Sequence, residues 1–271
     1  MNRETPPGWH PDPYARHAHR YWDGTAWTDK VSDGPDVGID APTSSVPTVK
    51  RATHKIVGDV QRAGAAAASG GGTLFTEPIL VVNQKAKLLE LTNEYAVYDQ
   101  NGTQLGAVRQ VGQSAARKVL RALTKVDQFL TTRLEIVDMT GRAVLSLTRP
   151  AKLIKSRVIV SDASGAEIGQ IVQQNAIGKI RFGLVSADQT LGSINAENWR
   201  AWNFSVRDHA NEEVARITKT WEGLAKTMFT TADNYVLQIL RPLQEPLRSL
   251  VVAGALAVDT ALKQDARGLG A

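Results

Sequence analysis

From Thr73 onward, apolar and polar residues alternate in short runs, and the runs repeat as one unit. YAVYD (95–99) is followed by QNG and then TQLGAVRQ. RLEIVD (133–138) is followed by MTG and RAVLSLTR, and RVIVSD (157–162) by ASG and AEIGQIVQ. A fourth copy, FGLVSADQTLGSI, is degenerate. In a fifth, FSVRDHANEEVARITK, Asn211 stands where the others carry glycine. A period of two marks strands with one buried face. Aspartate bonds its own turn backbone, and Gly or Asn tolerates the left-handed conformation the turn needs. Each unit is therefore predicted to be a β-hairpin. The turn acids Asp138, Asp162, Asp188 and Asp208 are 24, 26 and 20 residues apart. Asp99 precedes Asp138 by 39, because an amphipathic helical pattern at about 113–130 intervenes.

Five hairpins give ten strands; PILVVN (78–83), KLLEL (87–91) and NYVLQIL (234–240) add two or three more. An antiparallel sheet of about twelve strands curls, splits or closes, and closure removes the edges that would pair with other chains. The predicted fold is mainly β: a closed antiparallel barrel of about 12 strands around a central apolar C-terminal helix. The helix follows from width. Eight strands make a barrel that its own side chains fill, and diameter grows with strand number. A helix about 10–12 Å across fits the wider bore. SLVVAGALAVD (249–259) is the candidate, with an unbroken apolar run from Leu250 to Val258. The run is too short for a membrane span, which needs ~20 apolar residues. It is apolar all round, as a fully buried helix is. Pro246 ends the preceding strand and suits a helix start.

Composition divides the chain into three predicted regions. Residues 1–31 form a small Trp-rich motif with Trp9, Trp22 and Trp27. Residues 32–72 are poor in large apolar groups and read as a flexible linker, with a short helix conceivable at Thr53–Ala68. Residues 73–265 hold the barrel and its core helix. The absence of cysteine fits a reducing compartment. The N-terminal MNRETPPGWHPDP has no apolar signal-peptide core.

Net charge is +5, and its source is local. Between Arg109 and Ser161 eleven Lys/Arg face three acids, which is +8, so the rest of the chain sums to −3. The helical pattern within this region carries Val119, Leu120, Leu123, Val126 and Leu130 beside Arg117, Lys118, Arg121 and Lys125. A basic amphipathic segment suits an anionic membrane surface. Three readings stand: solvated charges over a stripe that packs on the barrel, contact with lipid headgroups, and nucleic-acid binding, the last the least supported. The candidate headgroup residues are Arg117, Lys118, Arg121, Lys125, Arg149, Lys152, Lys155 and Arg157. In the N-terminal motif, Trp9, Tyr21, Trp22 and Trp27 form either a mini-core or an aromatic groove for a protein or membrane-interface partner. His17 and His19, with His10 nearby, lack a further ligand at supporting spacing and are read as solvated. No catalytic motif is present; Asp99, Asp138 and Asp162 are accounted for by their turns, and no enzyme activity is expected.

Two stretches resemble known families. TTADNYVLQILRPLQEPLRSLVVAGALAVDTAL and TLFTEPILVVNQKAKLLELTNEYAVYDQNGTQLG resemble the end and the start of the phospholipid scramblase domain, over roughly Thr73–Lys263. That family shares a barrel with tubby-like and LURP-one-related proteins. The resemblance implies twelve strands around a C-terminal helix, phospholipids as partners, and calcium activation in eukaryotic members. The family's calcium segment matches Thr231–Pro242 here, but Asp233 is its only retained acid. Calcium takes six to eight oxygens with carboxylates prominent, so no metal site and no cofactor are expected. PGWHPDP (7–13) and RYWDGTAWT (20–28) resemble a short actinobacterial domain of unknown function, with His10 where tyrosine is usual. That likeness implies an actinobacterial source and association with membrane proteins. The function these resemblances imply is that of a scramblase-like, phospholipid-associated protein at the cytoplasmic face of the plasma membrane. The alternative is a soluble non-enzymatic scaffold with an N-terminal adaptor.

Overall fold

The computed structural model describes residues 6–13, 17–40, 53–66, 68–84, 94–111, 132–150, 157–175, 179–197, 203–220 and 234–256. Near the N-terminus lie strands β1 (Gly8–Pro11), β2 (His19–Trp22), β3 (Trp27–Asp33) and β4 (Asp36–Ile39), then helix α1 (Thr53–Arg62). The barrel strands are β5 (Ile79–Gln84), β6 (Glu94–Tyr98), β7 (Gln104–Val111), β8 (Thr132–Asp138), β9 (Ala143–Arg149), β10 (Arg157–Asp162), β11 (Glu167–Gln173), β12 (Arg181–Ser186), β13 (Gln189–Ala196), β14 (Asn203–Asp208), β15 (Glu213–Thr220) and β16 (Asn234–Ile239). Residues 247–256 are helical and are called α2.

Strands β5 to β16 each pair antiparallel with the next in sequence, and β16 pairs back onto β5. The barrel is thus a closed meander of twelve strands. Ten come from the five predicted hairpins; β5 and β16 complete it. KLLEL and the helical pattern at about 113–130 lie outside the described residues.

The turns follow the aspartate logic closely. Asp162 Oδ1 accepts the backbone N–H of Ser164 (2.8 Å) and of Ala166 (3.0 Å), and the Ser164 hydroxyl (2.6 Å). Asp99, Asp138 and Asp208 accept the equivalent pair of backbone N–H groups. The residue three positions on takes a positive φ: Gly102 at 88°, Gly141 at 81°, Gly165 at 88° and Asn211 at 64°. The degenerate fourth copy makes a tighter turn, in which Ala187 (46°) and Asp188 (61°) are both left-handed. Asp188 there occupies the turn itself rather than accepting its amides, which explains why the repeat breaks at that copy.

Inside the barrel, α2 supplies Leu250, Val251, Val252, Ala253, Ala255 and Leu256 to one continuous core with the inward side chains of all the strands. Its packing is close. A Cβ on Gly169 of β11 would sit 3.2 Å from Leu250 Cδ1, and one on Gly254 would sit 2.6 Å from Ile194 Cδ1. Those two contacts also give α2 its direction. Gly169 lies near the turn end of β11, and Ile194 near the far end of β13. The helix therefore runs from the rim with the tight turns towards the opposite rim. At its start, Glu245 Oε2 accepts the Ser249 N–H (3.2 Å) and Oε1 the Arg248 Nε–H (2.8 Å). A carboxylate suits the exposed amides of a helix N-terminus.

Part of the stretch expected as a linker is ordered secondary structure. The N-terminal sheet continues through β4 to Ile39. Helix α1 buries Ile56 and Val60 against Ile79, Val81, Ala96, Tyr98 and Val236, which belong to β5, β6 and β16. Asp59, fully buried, accepts the Thr220 hydroxyl (2.9 Å) and pairs with Arg62 (2.5 Å), which pins the helix to the wall. An amphipathic ten-residue helix gains stability from such packing rather than from propensity.

A charge on α2 should be incompatible with the fold. Ala255→Arg would place an unpaired guanidinium in the barrel core. We expect the variant to lose its cooperative thermal transition and to be cleaved rapidly by protease. A folded, protease-resistant Ala255→Arg protein would show that α2 lies outside the barrel.

Candidate functional site

The meander makes the two rims unlike. One rim carries the short turns at 99–102, 138–141, 162–165, 187–188 and 208–211. The other rim receives every longer connection between barrel strands: 85–93, 112–131, 150–156, 174–180, 197–202 and 221–233. The turn rim has the aspartates Asp99, Asp138, Asp162, Asp188 and Asp208. The Ser164 hydroxyl and backbone amides hold Asp162 below the usual carboxylate range. Burial pushes Asp138 up, but the Thr140 hydroxyl, the Thr140 and Arg142 amides and the Arg142 charge outweigh it and hold it low. These carboxylates are occupied in structure and leave no proton-transfer pair.

The predicted headgroup residues distribute as follows. Arg117, Lys118, Arg121, Lys125, Lys152 and Lys155 lie outside the described residues, but the strands flanking them end at the connection rim. Arg149, the last residue of β9, is buried, and Arg157, the first of β10, is exposed. Arg133, exposed near the start of β8, belongs to the same rim. Two members of the basic region do not join them. Arg109 is paired with Glu135 at 3.2 Å and donates to the Gly141 carbonyl, and Arg142 stands on the turn rim beside Asp138. Asp233 lies outside the described residues; Asn234, next in the calcium-like segment, is buried at the start of β16. Among the described residues no three His, Cys, Asp or Glu groups are arranged to hold a metal ion.

The N-terminal sheet divides its aromatics between two faces. Trp22 and Trp27 pack edge to face at 5.2 Å, with His10 against Trp27 at 6.1 Å. Trp9 and Tyr21 are paired in register on the other face, 5.5 Å apart. The four side chains therefore do not form one groove. The centre of the sheet is ionic. Arg20 is fully buried: its Nε donates to Asp12 (2.8 Å), its guanidinium donates to Asp40 Oδ2 (2.8 Å), to the Thr28 carbonyl (3.0 Å) and to the Asp40 carbonyl. His17 was expected to be solvated, yet its side chain is only 4% exposed. Its Nδ1 donates to Asp33 at 2.7 Å, and its Nε2 lies 3.4 Å from Asp40. Burial pulls this imidazole towards neutrality, but the hydrogen bonds and charges of Asp40 and Asp33 outweigh burial and raise its pKa above 6.5. The pattern PDP…RYW is thus a folding device: its aspartate and arginine meet as a buried ion pair. Asp23 of the same motif accepts the Thr25 and Ala26 amides and holds the DGT turn.

A closed twelve-strand meander wound around its own C-terminal helix defines a class of barrel proteins whose interior, among the described residues, is filled by that helix. Residues 66–262 match the Scramblase family model, and the chain belongs to the scramblase family. Residues 7–39 match a protein family of unknown function, DUF2510. A phospholipid scramblase family protein of Schizosaccharomyces pombe is 26% identical over 188 residues, covering 63% of this chain and 48% of that protein. Altered inheritance rate of mitochondria protein 25 of Saccharomyces cerevisiae is 22% identical over 198 residues, 61% of this chain and 59% of its own length. The alignments thus span about half the length of these curated relatives. An X-ray structure of an Arabidopsis thaliana protein aligns with a TM-score of 0.40 at 14% identity, over 70% of this chain and 99% of that one.

Two outcomes test the ionic centre of the N-terminal sheet. Arg20→Met removes the buried guanidinium that bridges Asp12 and Asp40 and should destabilise the sheet by about 3–5 kcal/mol, read from tryptophan fluorescence during denaturation. A raised histidine pKa contributes stability that is complete below the unfolded pKa and is lost as pH rises through the folded one. The sheet should therefore be most stable below about pH 6.5 and weaken above it, and His17→Gln should flatten that dependence.

Proposed function

We propose that this protein is a phospholipid-associated barrel that docks rim-first on the cytoplasmic face of the plasma membrane and binds anionic headgroups. The observation that carries the reading is the sorting of connections. The undescribed stretches of the connection rim contain Arg117, Lys118, Arg121, Lys125, Lys152, Lys155 and Arg200, and also Trp199, Trp202 and Trp221. Arg133 and Arg157 are exposed beside them on the barrel strands. Basic side chains near an anionic bilayer contribute about 1 kcal/mol each, screened by salt, and tryptophan favours the headgroup level. Scramblase family membership supports phospholipid as the partner.

Lipid handling belongs at the rim rather than along the barrel axis, because α2 and the strand side chains fill the bore. Among the described residues no helix is long and apolar enough to cross a membrane. The rim therefore meets lipid as a surface, and any exchange of lipid between leaflets would have to start from headgroups held there.

The test is co-sedimentation of the full chain with phosphatidylcholine vesicles, with and without phosphatidylglycerol. Binding should require the anionic lipid and weaken with salt. Reversing four rim charges (Arg117→Glu, Lys118→Glu, Lys152→Glu, Lys155→Glu) should weaken it at least tenfold, on the order of the per-charge contribution above. Arg142→Glu, on the turn rim, should leave it unchanged. Equal partitioning to both vesicles with no salt effect would overturn the proposal and favour a soluble scaffold.

A further inference from the structure

The outer face of the N-terminal sheet has a composition that the buried ionic centre does not explain. In register, Trp9 stands opposite Tyr21, His19 opposite Ser32, Ser32 opposite Val37, and Lys30 opposite Ile39. Directly opposed residues share a face of an antiparallel sheet. Lys30 Nζ lies 5.6 Å from the centre of the Tyr21 ring, which joins the β1–β2 pair and the β3–β4 pairs into one surface. Among the described residues, large exposed hydrophobics are few, and three of them are here: Trp9 at 42%, Val37 at 56% and Ile39 at 70% exposure. Scattered apolar residues are ordinary on a protein surface, but a cluster marks an interaction site.

Charge selects the partner. Asp12 and Asp40 are bonded to Arg20, Asp33 to His17, and Asp23 to its own turn. Asp36 is opposite Asp33 and so shares its side of the sheet, while Asp29 neighbours Lys30 and points the other way by strand alternation. Among the described residues the outer face thus carries Lys30 and His19 and no carboxylate. A tryptophan, a tyrosine, two aliphatic side chains and a lysine together match the membrane interface, where aromatic rings sit among headgroups and lysine reaches a phosphate along its stem.

We infer that this face is a second lipid contact, one that lies flat on an anionic bilayer surface, with Val37 and Ile39 at the acyl edge and Trp9 and Tyr21 at headgroup level. It uses residues of the N-terminal sheet alone and does not depend on the barrel rim. Two weak contacts on one chain reinforce each other, because the second binds at a high effective concentration once the first is made.

The chain has no cysteine, so single cysteines report cleanly. In the full chain, a polarity-sensitive fluorophore at Ile39→Cys should shift to the blue on adding phosphatidylcholine–phosphatidylglycerol vesicles, and one at Asp29→Cys should not. The double variant Trp9→Ala, Ile39→Glu should bind those vesicles about tenfold more weakly with its circular dichroism unchanged. Repeating the Ile39→Cys measurement in the rim-reversed variant separates the two proposals. A blue shift that persists there at higher vesicle concentration supports the sheet contact by itself. Intact vesicle binding with no shift at position 39, or with equal shifts at 29 and 39, overturns this inference and leaves the rim proposal standing. No binding to any vesicle overturns both.

Discussion

A twelve-strand barrel is too wide to be filled by its own side chains, and the rest of this structure follows from that excess width. Something must occupy the bore, and a slim apolar helix of suitable diameter is the cheapest occupant the chain can supply. That is why the most apolar stretch is in the interior of a protein whose surface is charged. It is also why Ala and Gly recur at 253–255: the Gly254 backbone passes so near Ile194 that a side chain there has no room. The membrane-like hydropathy of this segment records burial in protein, not in lipid. Among the described residues, α2 and the inward strand side chains form one continuous core.

The two ends of the barrel differ because hairpins come in two kinds. The tight Asp-x-x-Gly turns close one rim with carboxylates already satisfied by backbone amides. The alternate connections, free to be longer, all return at the other rim. A meander with an even number of strands enforces this separation. It sends the loops that hold most of the basic residues to one end of the barrel. The exceptions are informative. Arg142 belongs to the same sequence region but sits in a tight turn, so topology sends it to the opposite rim. Arg109 is neutralised by Glu135 across the β7–β8 pair.

Much of the barrel was legible because each device is local. An aspartate, two residues and a glycine define a turn whatever surrounds them, and period-two runs define the strands. Closure and the plug came from width, a single global argument. What escaped was whatever needed partners from distant strands. The boundary at residue 31 separated Arg20 and His17 from Asp33 and Asp40, the carboxylates that hold them. Strand β4 was missed because its large side chains, Val37 and Ile39, point outward, and its remaining residues are Asp and Gly. The strand lacks the buried alternate positions that usually betray one. Helix α1 falls within the stretch Thr53–Ala68 where a short helix was conceivable, but its docking on β5, β6 and β16 through Ile56 and Val60 was not legible in a segment of low overall hydrophobicity. The aromatic motif revealed that a small fold exists, but not that its tryptophans serve different faces.

The ionic centre and the apolar outer face of the N-terminal sheet have one cause. A sheet of about thirty residues cannot bury enough apolar surface to be stable in the ordinary way. Among its described hydrophobics only Val31 is sequestered, and a buried arginine with two carboxylates stands where a larger fold would place leucines. Such a pair is a weak source of net stability but is strongly specific, because no other register satisfies both charges. Placing Asp12, Asp33 and Asp40 on the side of Arg20 and His17 also strips the opposite face of negative charge. The apolar side chains that a conventional core would have consumed are left outside, beside a lysine. The same economy of size that forces charges into the centre thus leaves an aromatic and aliphatic surface exposed beside Lys30, and its exposure is a direct result of how so short a sheet holds together.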